Sequence, residues 1–254
     1  MVLSALVSTS VLAQAPGPGG PPPGGVPPAF AQPAGPAPPA PPPLPDGTPD
    51  ISGLWFAGVG DYVNPARDEI PLTPEYARKL REWVAAAQAG RPYADSVTRC
   101  EAFGMPRVMT FGLNEILQTP GRVTVITEVL HEVRRIWTDG RKHPDDLDLT
   151  YGGHSVGRWE GTTLVIDTVG VKAGTLDQYG VPFSDEIHIT ERMRRVDGLT
   201  LENQITLVDP KAFTKPWTVT KTYRLAPPGF AIEEYICSSN NRNAPDAQGR
   251  ATAR

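Results

Sequence analysis

Apolar residues return along this chain with two different periods. Tyr76, Leu80, Trp83, Val84 and Ala87 recur at helical spacing, which predicts one amphipathic helix. Thr73 can cap it, Pro74 suits its first turn, and Gly90 and Pro92 end it. Elsewhere the period is two. Asp50 to Phe56 puts Ile51, Gly53 and Trp55 on one face of a first strand. Segments 115–119, 122–129, 131–138, 155–158, 162–169, 186–196, 199–208, 217–225 and 230–237 are short, rich in Val, Ile, Thr and aromatics, and bounded by turn residues. Asp-Gly turns at Thr138–Arg141 and Val196–Leu199, with a third tight turn at Trp159–Thr162, predict hairpins and hence antiparallel pairing. One helix and about nine strands predict an all-β fold, an antiparallel β-barrel of calycin or lipocalin-like type with one N-terminal helix, because closure removes exposed strand edges.

Composition divides the chain. No charged residue occurs before Asp46, and Ala15 to Asp46 holds 15 of the 29 prolines with 6 glycines. That tract cannot bury a core. Residues 1–15, apolar and ending in Ala-Gln-Ala, predict a secretory signal peptide, although no Lys or Arg stands near Met1. Residues 16–46 then read as a disordered Pro/Gly-rich linker and 47–254 as a single barrel domain. Export implies a periplasmic or secreted protein. In an oxidising compartment the pair Cys100 and Cys237 invites a disulfide, the alternative being two separate buried thiols. A net charge of −4 with interspersed signs excludes the footprint of a nucleic-acid binder, and no apolar run is long enough for a transmembrane segment.

Motifs exclude more than they assign. The four histidines, His131, His143, His154 and His188, form none of the close metal-ligand spacings, so no metal and no other cofactor is expected. Nucleotide-binding glycine loops are missing, and Ser155 lies one position away from a nucleophile elbow. Strand parity says more. Glu191 falls in register with Ile187, Ile189 and Met193, and Asn203 with Leu201, Ile205 and Leu207. Lys221 lies in register with Trp217, Val219 and Tyr223, and Glu234 with Ile232 and Ile236. His131 and Arg135 align with Val133 and Trp137, and Asp167 with Val165 and Val169. Facing inward, these groups would line a polar-studded cavity for a small molecule. Facing outward, Lys221 and Glu234 would be a solvated cross-strand pair. A second candidate is the glycine-rich loop carrying Tyr151 and His154. Phe213, Lys215 and Trp217 either cover a ligand or plug the barrel end.

The blocks Cys100-Glu-Ala-Phe-Gly-Met-Pro-Arg107, Gln118-Thr-Pro-Gly121, Gly153-His-Ser-Val-Gly-Arg-Trp-Glu-Gly161, Leu164-Val-Ile-Asp-Thr168 and Asp209-Pro-Lys-Ala-Phe-Thr-Lys-Pro-Trp217, with His143-Pro144 between them, resemble a large and mostly uncharacterised family of secreted Gram-negative bacterial proteins. The resemblance implies export and a β-rich fold and names no reaction. Gly53 and Trp55 are similar to the Gly-x-Trp opening of lipocalin-type barrels. Two functions stay open. One is a cofactor-independent lyase, isomerase or hydrolase, with Glu191 or Glu234 as base and His131 or Lys221 as acid. Arg135, Asp167, Asn203, Tyr223, Tyr151, His154 and Trp217 would then contact the ligand. The other is a non-catalytic carrier of a small apolar ligand, or an envelope interaction module, built on the same barrel.

Overall fold

The computed structural model describes residues 30–31, 35–59, 68–89, 100–177 and 179–235. The expected helix is α1 (Pro74–Gln88). The expected strands are β1 (Gly53–Val59), β2 (Leu113–Thr119), β3 (Arg122–Thr127), β4 (Val133–Trp137), β5 (His154–Glu160) and β6 (Thr163–Val169). Then come the short pair β7 (Gly174–Thr175) and β8 (Pro182–Phe183), and the long strands β9 (His188–Arg195), β10 (Thr200–Val208) and β11 (Trp217–Leu225). Nine of these close a barrel in the order β1-β11-β10-β9-β6-β5-β4-β3-β2. Strand 230–237 is a correction: residues 231–235 carry no strand and the rest lies outside the described residues. Because β11 pairs with both β10 and β1, the sheet closes on itself at that junction.

Pairing is antiparallel all round except between β4 and β5, which run parallel and pair at two positions, Ile136 with Ser155 and Trp137 with Val156. The turns at 160–163 and 196–199 make the hairpins their sequences predict. The turn at 138–141 does not. Asp139 closes it locally onto the Arg141 side chain, at 2.6 and 3.0 Å, and the chain continues as an irregular connection. A parallel neighbour needs a crossover. Residues 138–153 supply it by returning along the outside of the barrel, bonding Thr150 N–H to Gly170 O.

The interior is filled by alternate residues, among them Trp55, Ile116, Val125, Ile136, Leu164, Ile166, Ile189, Met193, Ile205 and Tyr223, all buried. One end carries tight turns. The other is plugged by Met105, Val108 and Met109 and by the 209–217 loop, in which Phe213 is buried. Trp217, a candidate ligand contact, is half-buried there against Phe213, with ring centroids 6.0 Å apart. Helix α1 is placed by tertiary bonds more than by its cap: the Thr73 hydroxyl donates to Lys211 O (2.8 Å) and accepts no N–H of the helix. Trp83 of α1 covers Gly180, where a Cβ would lie 2.1 Å from the indole.

Of the proline-rich tract, Phe30 is buried, stacked on Phe56 at 4.3 Å and edge-on to Phe230, and Pro38 O accepts from Gly198 N–H at 2.6 Å. Cys100 is half-buried and no free cysteine occurs among the described residues. Its expected partner Cys237 lies outside them. No helix among the described residues is long and apolar enough to cross a membrane.

Asp177 occupies the turn between β7 and β8, accepting from Tyr179 N–H at 2.9 Å. Its other oxygen has no partner among the described residues, and burial pushes the carboxyl up to about 7 from 3.8. The folded state thus keeps a proton that the unfolded chain releases. Stability from this group is complete below pH 3.8 and is lost as pH rises through about 7. At about 1.4 kcal/mol per pKa unit the ionised form costs the fold roughly 4 kcal/mol. Asp177→Asn keeps one acceptor and removes the charge. The variant should melt higher than wild type at pH 8, with the difference vanishing near pH 4; equal melting temperatures at both values would contradict this.

Candidate functional site

Two polar networks lie back to back on the paired strands β5 and β6. Inside the barrel, Arg134 of β4 reaches behind them to Glu191 of β9 and meets its carboxylate with both terminal nitrogens. On the way its Nε donates to Ser155 Oγ (3.2 Å) and Nη2 to Thr168 Oγ1 (3.0 Å). Ser155 and Thr168 are bonded to each other at 2.8 Å, and Asn203 Nδ2 donates to Glu191 Oε1 at 2.7 Å. Every member of this set is buried, Glu191 at 0 % exposure. A buried charge survives only when paired and hydrogen-bonded. Here both are, across five strands.

Glu191, Asn203, Lys221 and Tyr223 therefore face inward as their registers predict. The Tyr223 hydroxyl donates to Met109 O (2.7 Å), and burial, then the nearby Glu191 charge, push it up, so it stays protonated. Four expectations are corrected. Arg135 faces outward and Arg134 takes its place, because the left-handed residues Leu130 and His131 break the register ahead of β4. His131 is exposed on that turn, its Nε2 3.1 Å from Glu233 O. Glu234 is exposed beyond the last strand. Asp167 points away from the interior. Of the expected bases and acids, Glu191 and Lys221 lie inside the barrel and His131 and Glu234 outside it, and Glu191 is held as the counter-ion of Arg134.

Outside the barrel, Asp167 gathers three of the four histidines into a line. His188 Nε2 bonds one of its oxygens, and His143 Nε2 the other at 3.2 Å. The second nitrogen of His143, Nδ1, lies 2.8 Å from His154 Nδ1. A carboxylate only accepts, so His143 carries its proton on Nε2 and its Nδ1 must accept. His154 Nδ1 then donates. Its Nε2 is left with a free lone pair and no hydrogen-bond partner among the described residues. Burial above all holds His154 below its ordinary value, which keeps the imidazole neutral at pH 7. Because contacts use opposite sides of the His143 ring, the four groups form a relay and not a cage. Among the described residues no group of three or more His, Cys, Asp or Glu has the geometry to hold a metal ion.

His154 also lines a cleft of about 230 Å³ that opens where β4 and β5 diverge beyond their two paired positions. Arg134 and Ser155 form its floor, Val133, Arg135 and Trp137 one wall, and Met105 and Val108 the inner end. The Gly152-Gly153 backbone forms the other wall. Gly153 sits at φ +62°, where a Cβ would lie 2.7 Å from Val169 O, so glycine alone lets the loop press against β6 there. Glu132 at the rim accepts from Phe103 and Gly104 N–H, and burial raises its carboxyl. Tyr151 stands outside this cleft, in a neighbouring one of about 150 Å³, its hydroxyl 3.2 Å from Glu101. Sequence reasoning missed Arg134, Ser155, Thr168 and the grouping of His143 with His188. The adjacent polar pairs His154-Ser155 and Asp167-Thr168 on neighbouring strands were the available signal. Comparison with protein-family models, curated proteins and solved structures finds no match for this chain.

Removing one partner of the interior pair should cost far more than removing both. Glu191→Gln leaves a guanidinium unpaired in the core and should lower stability by about 3–5 kcal/mol. The double variant Glu191→Leu, Arg134→Met should recover most of that loss. Urea unfolding of wild type, Glu191→Leu, Arg134→Met and the double measures the coupling; additive losses would show that the pair is not a unit.

Proposed function

We propose that this barrel binds a small organic molecule in the cleft at the β4–β5 seam and performs acid–base chemistry on it, with His154 as general base. The observation that carries the reading is the unpartnered Nε2 of a neutral imidazole beside a cleft, its opposite nitrogen tied through His143 to Asp167. In such an arrangement Nε2 takes a proton from the ligand or from a water molecule, and the imidazolium formed is stabilised through His143 by the Asp167 carboxylate. One N–H of the Arg134 guanidinium is not used by Glu191, Ser155 or Thr168, and it can donate to an oxygen that gains charge as the proton leaves. Lyase, isomerase and hydrolase reactions all begin this way. An exported location, supported by the apolar stretch before the proline-rich tract and by the family resemblance, belongs to the same proposal.

A turnover screen over small carbonyl compounds, with binding followed separately by calorimetry, tests the reading. His154→Gln should leave binding intact and reduce kcat by about 10²-fold or more. Since His154 is held below 6.5, the acid limb of kcat/KM should fall below pH 6.5 and disappear in the variant. Tight binding without turnover, unaffected at His154, would instead make the protein a carrier.

A further inference from the structure

We infer that the cleft takes an organic anion, a small molecule with an apolar or aromatic body and one carboxylate, and that Arg135 is the residue that binds the carboxylate. This rests on the reading of the cleft as the ligand site and adds the chemical class of the ligand. The argument is an account of charges around one opening. Arg134 on the floor is spent on Glu191, its partner within the barrel. Glu132 across the rim is spent on two backbone N–H groups of the 103–104 segment. Arg135 also lines the cleft, and it has neither an ion pair nor a hydrogen bond among the described residues.

Two further guanidiniums lie nearby, that of Arg141 paired with Asp139. Arg141 lies over the Trp137 ring at 3.8 Å and Arg122 at 5.8 Å, and the Nε of Arg122 has no partner among the described residues. His154, on the opposite side of the opening, feels this field: after burial, the positive charge of Arg141 helps to hold it neutral. A cleft whose one charge uncommitted among the described residues is a guanidinium attracts anions and repels cations. Its remaining surface is Met105, Val108, Val133 and Trp137, which suits an apolar ring. Phosphate alone would leave that surface empty. A carboxylate at Arg135 would leave the body of the ligand between Trp137 and His154.

Three isosteric probes separate the outcomes: benzoate, benzamide and benzamidine, titrated into ¹⁵N-labelled full-length protein. Benzoate should shift the amides of residues 133–137 and 152–155 and bind about tenfold more tightly than benzamide, with benzamidine weakest. Arg135→Gln should bring benzoate down to the benzamide level and Arg135→Lys should restore part of the difference. Arg135 is exposed, so an unchanged melting temperature is expected in both. Equal binding of all three probes in the cleft, or benzoate binding indifferent to Arg135→Gln, would overturn the anion assignment and leave the cleft as a ligand site. Absence of shifts in the cleft with all three would remove the ligand site and the assignment together.

Discussion

The Arg134–Glu191 ion pair spans the place where this barrel is weakest. Eight of its nine strand junctions are antiparallel ladders; the ninth, β4 to β5, has two paired positions. Two rungs cannot hold a sheet closed against the separation of its strands. The guanidinium crosses that gap inside the barrel, fixing β4 to Ser155, Thr168 and Glu191 on the three strands beyond it. Its desolvation is tolerable because nearly all its donors are met, and because the carboxylate takes a further bond from Asn203.

The rest of the functional geometry follows from that seam. A parallel neighbour forces the intervening chain to travel the length of the barrel outside it, and this return path carries His143 to Asp167 and His154. The same divergence of β4 from β5 opens the cleft. One irregularity in sheet pairing therefore creates the cavity, exposes the edge of the interior network to it, and brings an imidazole with a fixed tautomer to its mouth.

Where the outer face of a strand meets water, its register was legible in the sequence. β9, β10 and β11 alternate cleanly, and Glu191, Asn203, Lys221 and Tyr223 point inward as their spacing says. β6 could not be read this way. Val165 on its outer face is apolar and buried, like Leu164 and Ile166 on its inner face, so apolarity does not distinguish the two sides. In β4 the adjacent Arg134 and Arg135 offer no contrast, and the preceding left-handed turn shifts the count by one. The Asp-Gly turn at 138–141 formed as a turn, but a local signal carries no information about which strand the chain will meet next. His143 and His188 looked isolated because the contacts that join them to Asp167 come from strand order, which spacing does not encode.

Both ends of the described chain converge on one patch, where Phe30 and Phe230 pack together beside Phe56 of β1. A few residues beyond Phe230 the chain reaches the turn ahead of β4, where Glu233 O lies 3.1 Å from His131 Nε2. The two phenylalanines close on each other over Phe56 like a buckle, so whatever frees one of them loosens the start and the end of the described chain together.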